Sequence, residues 1–336
     1  MSKSNNRRAA AKLALAIALL TPGAGALAAD GDPRLTRSIG ELKPLATIRV
    51  GNTADWVAVT RDAVWVGSTG PDAVHRIDPK TNRRVASVAL PGEPCAGLAT
   101  GFGSLWIPLC TAPPSLAKVD LIANTLTAVF AVGPAAAEAG ITVGAGSVWL
   151  VVDRSGTLAR IDPKTGAVRQ TVHLPAGSYN PHFSNGRIWT THAEGAELTG
   201  VDAGTGAVVA TARTGPNPRF LTSGDAAIWT LNQGDGSLTR VDQHAGQAPR
   251  TIALHTPGHG GDIAFSGGFV WSTMAKIPLS LIDAASDALL CQWLGPGGDS
   301  LGIGHEAIWL TDYHAGTIAR ISLQDALEHC DPGRLR

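Results

Sequence analysis

The sequence is poor in charge, and neither sign dominates it. Only 16% of the 336 residues are Asp, Glu, Lys or Arg, and the 27 basic residues equal the 27 acidic ones. Because no basic stripe is present to neutralise a row of phosphates, we expect no nucleic-acid partner. Beyond the first 28 residues there is no second long apolar run, so we expect no membrane span in the rest of the chain.

Several motifs that carry chemistry are also missing. The four cysteines form no Cys-x-x-Cys or Cys-x-x-Cys-His pattern, which argues against a thioredoxin-like site and against covalent haem. There is no His-Glu-x-x-His zinc motif. The glycine-rich stretch 258–262 follows no strand-to-helix pattern, so it is not interpreted as a phosphate loop.

Tryptophan, in contrast, recurs at intervals of 38 to 43 residues along most of the chain. A repeat of this length with short apolar runs and glycine turns is typical of a β-propeller. The sequence therefore predicts an all-β, seven-bladed β-propeller. The repeated residues are Trp65, Trp106, Trp149, Trp189, Trp229, Trp271 and Trp309.

A second marker follows each tryptophan by 12 to 14 residues and is an aspartate in six of the seven repeats, with Ser322 in the last. In the third repeat it opens the turn Asp162-Pro163-Lys164-Thr165-Gly166, where Pro presets φ, Asp bonds nearby backbone and Gly takes a left-handed conformation. Four strands are expected per repeat. We therefore interpret the repeated Trp and Asp as structural. The aspartates are Asp78, Asp120, Asp162, Asp202, Asp242 and Asp283.

The last repeat has no outer strand of its own. The segment 45–51 precedes the first repeat and resembles an outer strand, so we expect it to complete the seventh blade and leave no open edge. The sequence divides into a signal peptide (1–28), a linker (29–44), the propeller (45–330) and a tail (331–336). A short helix is expected between Leu323 and Cys330.

The first 28 residues have the features of a secretory signal peptide. Positive residues at 3, 7, 8 and 12 precede the apolar run Leu13–Leu20, and Ala26-Leu27-Ala28 is a small-residue cleavage site. The sequence therefore predicts a periplasmic or secreted protein. The Sec and twin-arginine routes both stay open. Removal of four basic residues leaves 23 against 27 acidic ones, a net charge of −4.

All four cysteines lie in the exported part, where disulfides persist. Cys95 and Cys110 flank a hairpin turned at 101–104, and continuing that register places them opposite each other. Cys291 and Cys330 are left as the second pair.

The repeat unit resembles that of the virginiamycin B lyase (streptogramin lyase) family and of exported YVTN/NHL-like propellers. The resemblance covers roughly residues 45–322 and depends on Gly146-Ser147-Val148-Trp149, on Gly156–Gly166 and on their copies. In the lyase family an acid stands three residues after a blade tryptophan, near a histidine base and a bound Mg²⁺. The resemblance thus implies Asp312 as a metal ligand and His314 as the base; the six other repeats carry no acid at that position.

Ligands of a propeller collect at the axial mouth, where loops preceding the inner strands meet loops following the second strands. Histidine and acid residues gather in these loops, as a metal site or an acid–base pair requires. We predict catalytic roles for His314, His259 and His192, and metal-ligand roles for Asp312 and Asp153. The predicted ligand-binding residues are His182, Arg219, Asn232, Asp262, Asp299 and Glu138.

Three functions are compatible with this pattern. The first is an exported, monomeric propeller that binds a small molecule or a protein at its axial face. The second is a metal-dependent lyase that opens an ester by elimination, with His314 as base and His259 or His192 assisting. The third is a lactonase-like hydrolase with Mg²⁺ or Ca²⁺ on Asp153, Asn232 and Asp312.

Overall fold

A computed structural model describes residues 34–243 and 247–330, and within them seven sheets stand around one axis. Each sheet is a blade of four antiparallel strands, and one blade carries a fifth strand. The predicted seven-bladed β-propeller is therefore confirmed. The predicted signal peptide and the tail 331–336 lie outside the described residues.

The inner and second strands of each blade line and support the axis. The inner strands are β3 (Asp55–Val59), β7 (Ala99–Gly101), β11 (Ile141–Gly144), β15 (Ser178–Ser184), β19 (Pro218–Gly224), β23 (Ile263–Ser266) and β27 (Leu301–Gly304). The second strands are β4 (Val64–Ser68), β8 (Ser104–Leu109), β12 (Ser147–Val151), β16 (Arg187–His192), β20 (Ala227–Asn232), β24 (Phe269–Met274) and β28 (Ala307–Asp312).

The third and outer strands face away from the axis. The third strands are β5 (Ala73–Asp78), β9 (Ser115–Asp120), β13 (Thr157–Ile161), β17 (Glu197–Asp202), β21 (Ser237–Asp242), β25 (Ile277–Asp283) and β29 (Thr317–Ser322). The outer strands are β6 (Arg83–Ala89), β10 (Thr125–Phe130), β14 (Val168–His173), β18 (Val208–Arg213), β22 (Arg250–Ala253), β26 (Ala288–Leu294) and β2 (Ala46–Arg49).

The ring closes as the sequence predicts. Strand β2 pairs antiparallel with β29, from Ala46↔Arg320 to Arg49↔Thr317, and completes the seventh blade. Part of the segment 29–44, predicted as a linker, is also ordered into the fold: β1 (Thr36–Ser38) pairs parallel with β26, and a 3₁₀ helix (Ile39–Glu41) follows it. The helix α1 (Leu323–Cys330) forms where one is expected.

Each repeated tryptophan is buried between neighbouring blades, with at most 2% of its surface exposed. Around Trp149, the Nε1 donates to the carbonyl of Gly144 at 3.0 Å, and the guanidinium of Arg160 lies over the ring at 5.4 Å. The repeat is therefore a packing motif, and a cationic side chain lies over the ring in five of the seven blades.

The repeated aspartates hold turns, as their chemistry predicts. Asp162 Oδ1 accepts the backbone N–H groups of Lys164 and Thr165 at 2.6 and 3.0 Å. Asp202 makes the same pair of bonds to Gly204 and Thr205. These carboxylates are used within the turns between third and outer strands, far from the axis.

Both predicted disulfides form, Cys95–Cys110 and Cys291–Cys330. The reasoning behind the first pair was wrong in one respect, since the hairpin register does not continue to the cysteines. It holds from Gly101↔Ser104 to Ala99↔Trp106, and beyond it the bridge is Pro94↔Leu109, shifted by two residues. The disulfide therefore joins diagonal positions. The second one ties α1 to the sixth blade.

The last position of several inner strands is a glycine pressed against the next blade. A Cβ at Gly224 would lie 2.1 Å from the Phe265 ring, and one at Gly144 would lie 2.1 Å from Phe183. We expect Gly224→Ala to lower the free energy of unfolding by about 1–3 kcal/mol, because a packed ring has to shift. Ser266→Ala, at the same position of the sixth blade, is the matched control in urea unfolding, and equal effects of the two would contradict this account.

Candidate functional site

The axial mouth is the end of the inner channel at which the loops preceding the inner strands meet the loops following the second strands. It contains a cavity of about 660 Å³. Its wall is built mainly by the fifth, sixth and seventh blades, with Glu138 reaching in from the third. The lining residues are Glu138, Arg219, Gln233, His259, Gly260, Ala275, Lys276, Gly295, Pro296, Gly297, Gly298, Asp299, Asp312, Tyr313 and His314.

The predicted site residues divide into three groups. Six line the mouth cavity, two line a separate cavity of about 300 Å³ deeper in the channel, and three line neither. The deeper pair is His182 and Asp262. The mouth residues are Glu138, Arg219, His259, Asp299, Asp312 and His314.

The three remaining residues have local roles that account for their side chains. Asn232 is fully buried, and its amide bonds to Thr230, Ser237 and Thr239 inside the fifth blade. Asp153 accepts from Ser155 Oγ at 2.6 Å and from Thr157 N at 3.1 Å, within its own loop. The His192 ring folds over its own loop, since a Cβ at Gly195 would lie 2.2 Å from its Nδ1. The structure does not bring these residues to the mouth.

A buried carboxylate, Asp55, lies at the base of the mouth. Its Oδ1 accepts from Ser300 Oγ at 2.5 Å and from Trp56 N at 2.7 Å. Burial, followed by the negative charges of Asp299 and Glu138, raises the pKa of Asp55 well above its usual value, against the lowering effect of the Ser300 hydrogen bond. Burial and the neighbouring carboxylates therefore favour the protonated, neutral form of Asp55.

Asp299 and Glu138 experience the same crowding. Burial raises the pKa of Asp299, although the Gly261 N–H that it accepts at 3.2 Å lowers it. Withdrawal from water and then the charge of Asp299 raise the pKa of Glu138, while Arg219 lowers it. Arg219 is itself stacked over Tyr179 at 4.4 Å, which fixes its position at the wall.

The seventh blade supplies the outer part of the wall. Asp312 Oδ1 accepts the N–H of Ala315 at 3.0 Å, and Tyr313 and His314 meet edge to face at 5.3 Å. Burial and then the surrounding carboxylates raise the pKa of Tyr313. His314 is exposed and lines the cavity.

Sequence reasoning missed four residues of the mouth. Gln233 holds the loop of His259 by donating to Gly260 O at 2.9 Å, and Lys276 and Tyr313 line the cavity. Asp55 gave a usable signal: it stands ten residues before its blade tryptophan, the offset shared by Arg219 and Asp299. Alignment of the repeats on their tryptophans would have found it.

The stretch Gly298-Asp299-Ser300-Leu301-Gly302 matches the Gly-x-Ser-x-Gly pattern of serine hydrolases. That pattern needs an exposed serine on a strand-to-helix turn, with a histidine to take its proton. Ser300 is only 2% exposed, precedes an inner strand and donates to Asp55. The match does not form a nucleophile site.

The side chains do not fit the divalent metal that the lyase resemblance implies. Within residues 34–243 and 247–330, no group of three or more His, Cys, Asp or Glu is arranged to hold a metal ion. Asp312 and Asp299 each accept a backbone N–H with one carboxylate oxygen, and Asp153 bonds within its own loop, outside the mouth. Mg²⁺ and Ca²⁺ require a convergent set of oxygens, which this geometry does not offer.

The fold and the axial mouth define the chain as a seven-bladed β-propeller protein. No protein-family model and no curated protein matches it. Solved structures do: BamB from Moraxella catarrhalis at 15% identity, with 84% of this chain and 97% of that chain covered and a TM-score of 0.61. Hydrazine synthase from Kuenenia stuttgartiensis matches at 12% identity, with 82% and 97% covered and a TM-score of 0.69.

At these identities the likeness supports the fold alone, and the resemblance to virginiamycin B lyase stays a hypothesis. In the described part of the chain, no helix has the length and apolar character needed to cross a membrane.

Proposed function

We propose that the chain is an exported, monomeric binding protein that takes a small, cation-bearing polar molecule at its axial mouth. The observation that carries the proposal is the convergence of six predicted residues, from loops distant in sequence, on one cavity of about 660 Å³. Such a volume is typical of small-molecule sites. A concave site of this size favours a small molecule over the protein partner that the sequence left open.

The charge of the mouth selects the ligand class. Carboxylates outnumber the cations Arg219 and Lys276 at the cavity and its base, and they raise one another's pKa. A cationic group placed among them relieves this repulsion, whereas an anion adds to it. The four carboxylates are Asp55, Glu138, Asp299 and Asp312.

The geometry of the mouth supports the two enzyme hypotheses less well than it supports ligand binding. His314 and Asp312 line the same cavity, as a lyase resembling virginiamycin B lyase requires, but the implied metal lacks a fitting set of ligands. The lactonase-like alternative loses Asp153 and Asn232 from the mouth. Elemental analysis of the purified protein and of the Asp312→Ala/His314→Ala double variant tests both: a stoichiometric metal lost in the variant would favour an enzyme.

Export rests on the predicted signal peptide and agrees with two disulfides, which persist in oxidising compartments. Mass spectrometry of the protein recovered from its native compartment would show an N-terminus after residue 28 if the prediction is right. An uncleaved N-terminus would contradict it.

Four-carbon probes test the ligand class. We expect butane-1,4-diamine to bind in calorimetry at low salt, at least tenfold more tightly than butane-1,4-diol, and succinate not to bind. Asp312→Asn and Glu138→Gln should each weaken the diamine about tenfold or more, because each removes a negative charge from the wall.

Glu306→Gln is the matched control, since Glu306 is exposed on the turn between β27 and β28, at the opposite face. Its binding should equal that of the wild type. Equal affinity for diamine and diol, or equal weakening by all three variants, would overturn the proposal.

A further inference from the structure

A second cavity lies beneath the mouth, on the propeller axis. Its volume is about 300 Å³, and the inner strands of all seven blades or the residues just before them contribute to its wall. The two cavities share no lining residue. The inner cavity is therefore a compartment of its own, which the binding function proposed for the mouth does not use.

The wall of the inner cavity combines apolar side chains with polar groups, and the polar groups make up the larger part of its exposed surface. Trp56, Phe220 and Phe265 supply aromatic surface, and Leu98 and Ile263 are among the aliphatic residues beside them. The rings of Trp56 and Phe220 meet at 6.1 Å. A wall of this mixed character suits an organic molecule that carries both an apolar body and a polar group.

One carboxylate faces this cavity without a cation. Asp262 accepts backbone N–H groups from Ile263 at 2.8 Å and from Leu301 at 3.2 Å, which fix its position. No lysine or arginine is among the described lining residues. The one histidine there, His182, is bonded to Ser223 Oγ at 2.9 Å, and burial lowers its pKa to about 4, so it is neutral near pH 7.

The backbone of Trp56 is held in an unusual conformation. Its φ is +58°, and its N–H is bonded by Asp55 Oδ1 at 2.7 Å and Ser300 Oγ at 3.0 Å. A bulky residue in the left-handed region is rare and strained. The surrounding hydrogen bonds offset this strain, and the result is an indole placed in the axial channel.

We propose that the inner cavity is a binding site for a compact organic amine, with the ammonium group at Asp262 and the apolar body against Trp56, Phe220 and Phe265. The carboxylate supplies the counter-charge that the ammonium needs when it leaves bulk water. The aromatic rings add cation–π attraction and apolar contact. The volume admits roughly one ring with a short side chain.

The probes are benzylamine, benzyl alcohol and benzoate, which share a ring and differ in charge. In calorimetry at pH 8 we expect benzylamine to bind one-to-one and at least tenfold more tightly than benzyl alcohol, with benzoate silent. Asp262→Asn should weaken benzylamine by tenfold or more and leave its affinity close to that of the alcohol. Glu306→Gln should change nothing.

A second measurement locates the ligand. Benzylamine should shift the indole N–H resonance of Trp56, identified as the signal missing from Trp56→Phe, while the seven blade tryptophans stay unshifted. This readout keeps the proposal testable if Asp262→Asn folds poorly. A wild-type titration without a Trp56 shift would overturn the proposal.

The two proposed sites fail separately. Benzylamine binding that is lost in Asp312→Asn and kept in Asp262→Asn would place the amine at the mouth and overturn the inner site. Loss of diamine selectivity with benzylamine binding intact would overturn the mouth proposal alone. No binding of benzylamine at millimolar concentration would leave the inner channel as a structural feature only and reject this inference.

Discussion

Replacing Trp149 by alanine should lower the free energy of unfolding by about 3–5 kcal/mol. The ring is fully buried between the third and fourth blades, among Val151, Leu158 and Ile188. Alanine would remove the apolar contacts of the indole and leave a cavity that the blades, fixed in a closed propeller, cannot fill by moving together. The hydrogen bond to Gly144 and the stacked Arg160 would be lost as well. Urea unfolding followed by circular dichroism measures the effect.

Two comparisons separate packing from the loss of the indole N–H. Trp149→Phe keeps most of the apolar volume and should cost roughly half as much as Trp149→Ala. Trp229→Ala should resemble Trp149→Ala even though the Trp229 Nε1 has no partner in the described structure, because packing supplies most of the effect. A loss below about 1 kcal/mol for either alanine variant would contradict the structural role of the repeat.

The fold could be predicted from the sequence because every blade repeats the same packing arrangement. Each blade buries its faces only against its neighbours, so the same tryptophan recurs in all seven blades and the same aspartate in six, and the pattern accumulates until it is unambiguous. Ring closure follows from the same logic, since an unpaired edge on β29 needs a strand and the segment before β3 provides it.

Two details failed because the tryptophan and aspartate pattern carries no information on them. The register of Cys95 and Cys110 shifts because the pairing between inner and second strands is interrupted near the start of the inner strand, as it also is in the first, fourth and fifth blades. Strand β1 extends the sixth blade through a segment with no match to the repeat unit.

The candidate site was predicted in part for a geometric reason. The position of a residue in a loop of the repeat predicts that it lies near the mouth. It does not predict how deep along the axis the side chain lies, and this depth separates Asp262 from Asp299. It also could not tell which polar side chains are used inside a blade: Asn232 and His192 end second strands just as Asp312 does. Depth and hydrogen bonding are set by the packed ring and have no signature in a single loop.

The half-buried Asp262 should make stability fall as pH rises from about 4 to about 7. Burial raises the pKa of Asp262 from its usual 3.8 to about 7, with smaller contributions from Asp299 and Glu138. Between these values the unfolded chain has released the proton and the folded chain keeps it, so raising the pH favours unfolding. The shift corresponds to a loss of up to about 4 kcal/mol, complete above pH 7.

The pH dependence of stability of the whole protein contains contributions of both signs. The quantity to measure is therefore the difference in stability between the wild type and Asp262→Asn. His182 and His75 have pKa values lowered to about 4, and because their unfolded forms bind protons more readily, they add stability as pH rises. Subtracting the curve of Asp262→Asn from that of the wild type cancels these groups. The lost hydrogen-bond acceptor of the variant adds an offset that does not vary with pH.

The remaining slope belongs to Asp262 and its coupling to Asp299 and Glu138. We expect the wild type to lose stability relative to Asp262→Asn between pH 4 and 7, and the two curves to run parallel above pH 7.5. A flat difference would mean that the carboxylate is solvated or paired in solution. A bound amine should move the wild-type slope toward lower pH, because an ammonium group beside the carboxylate favours its charged form.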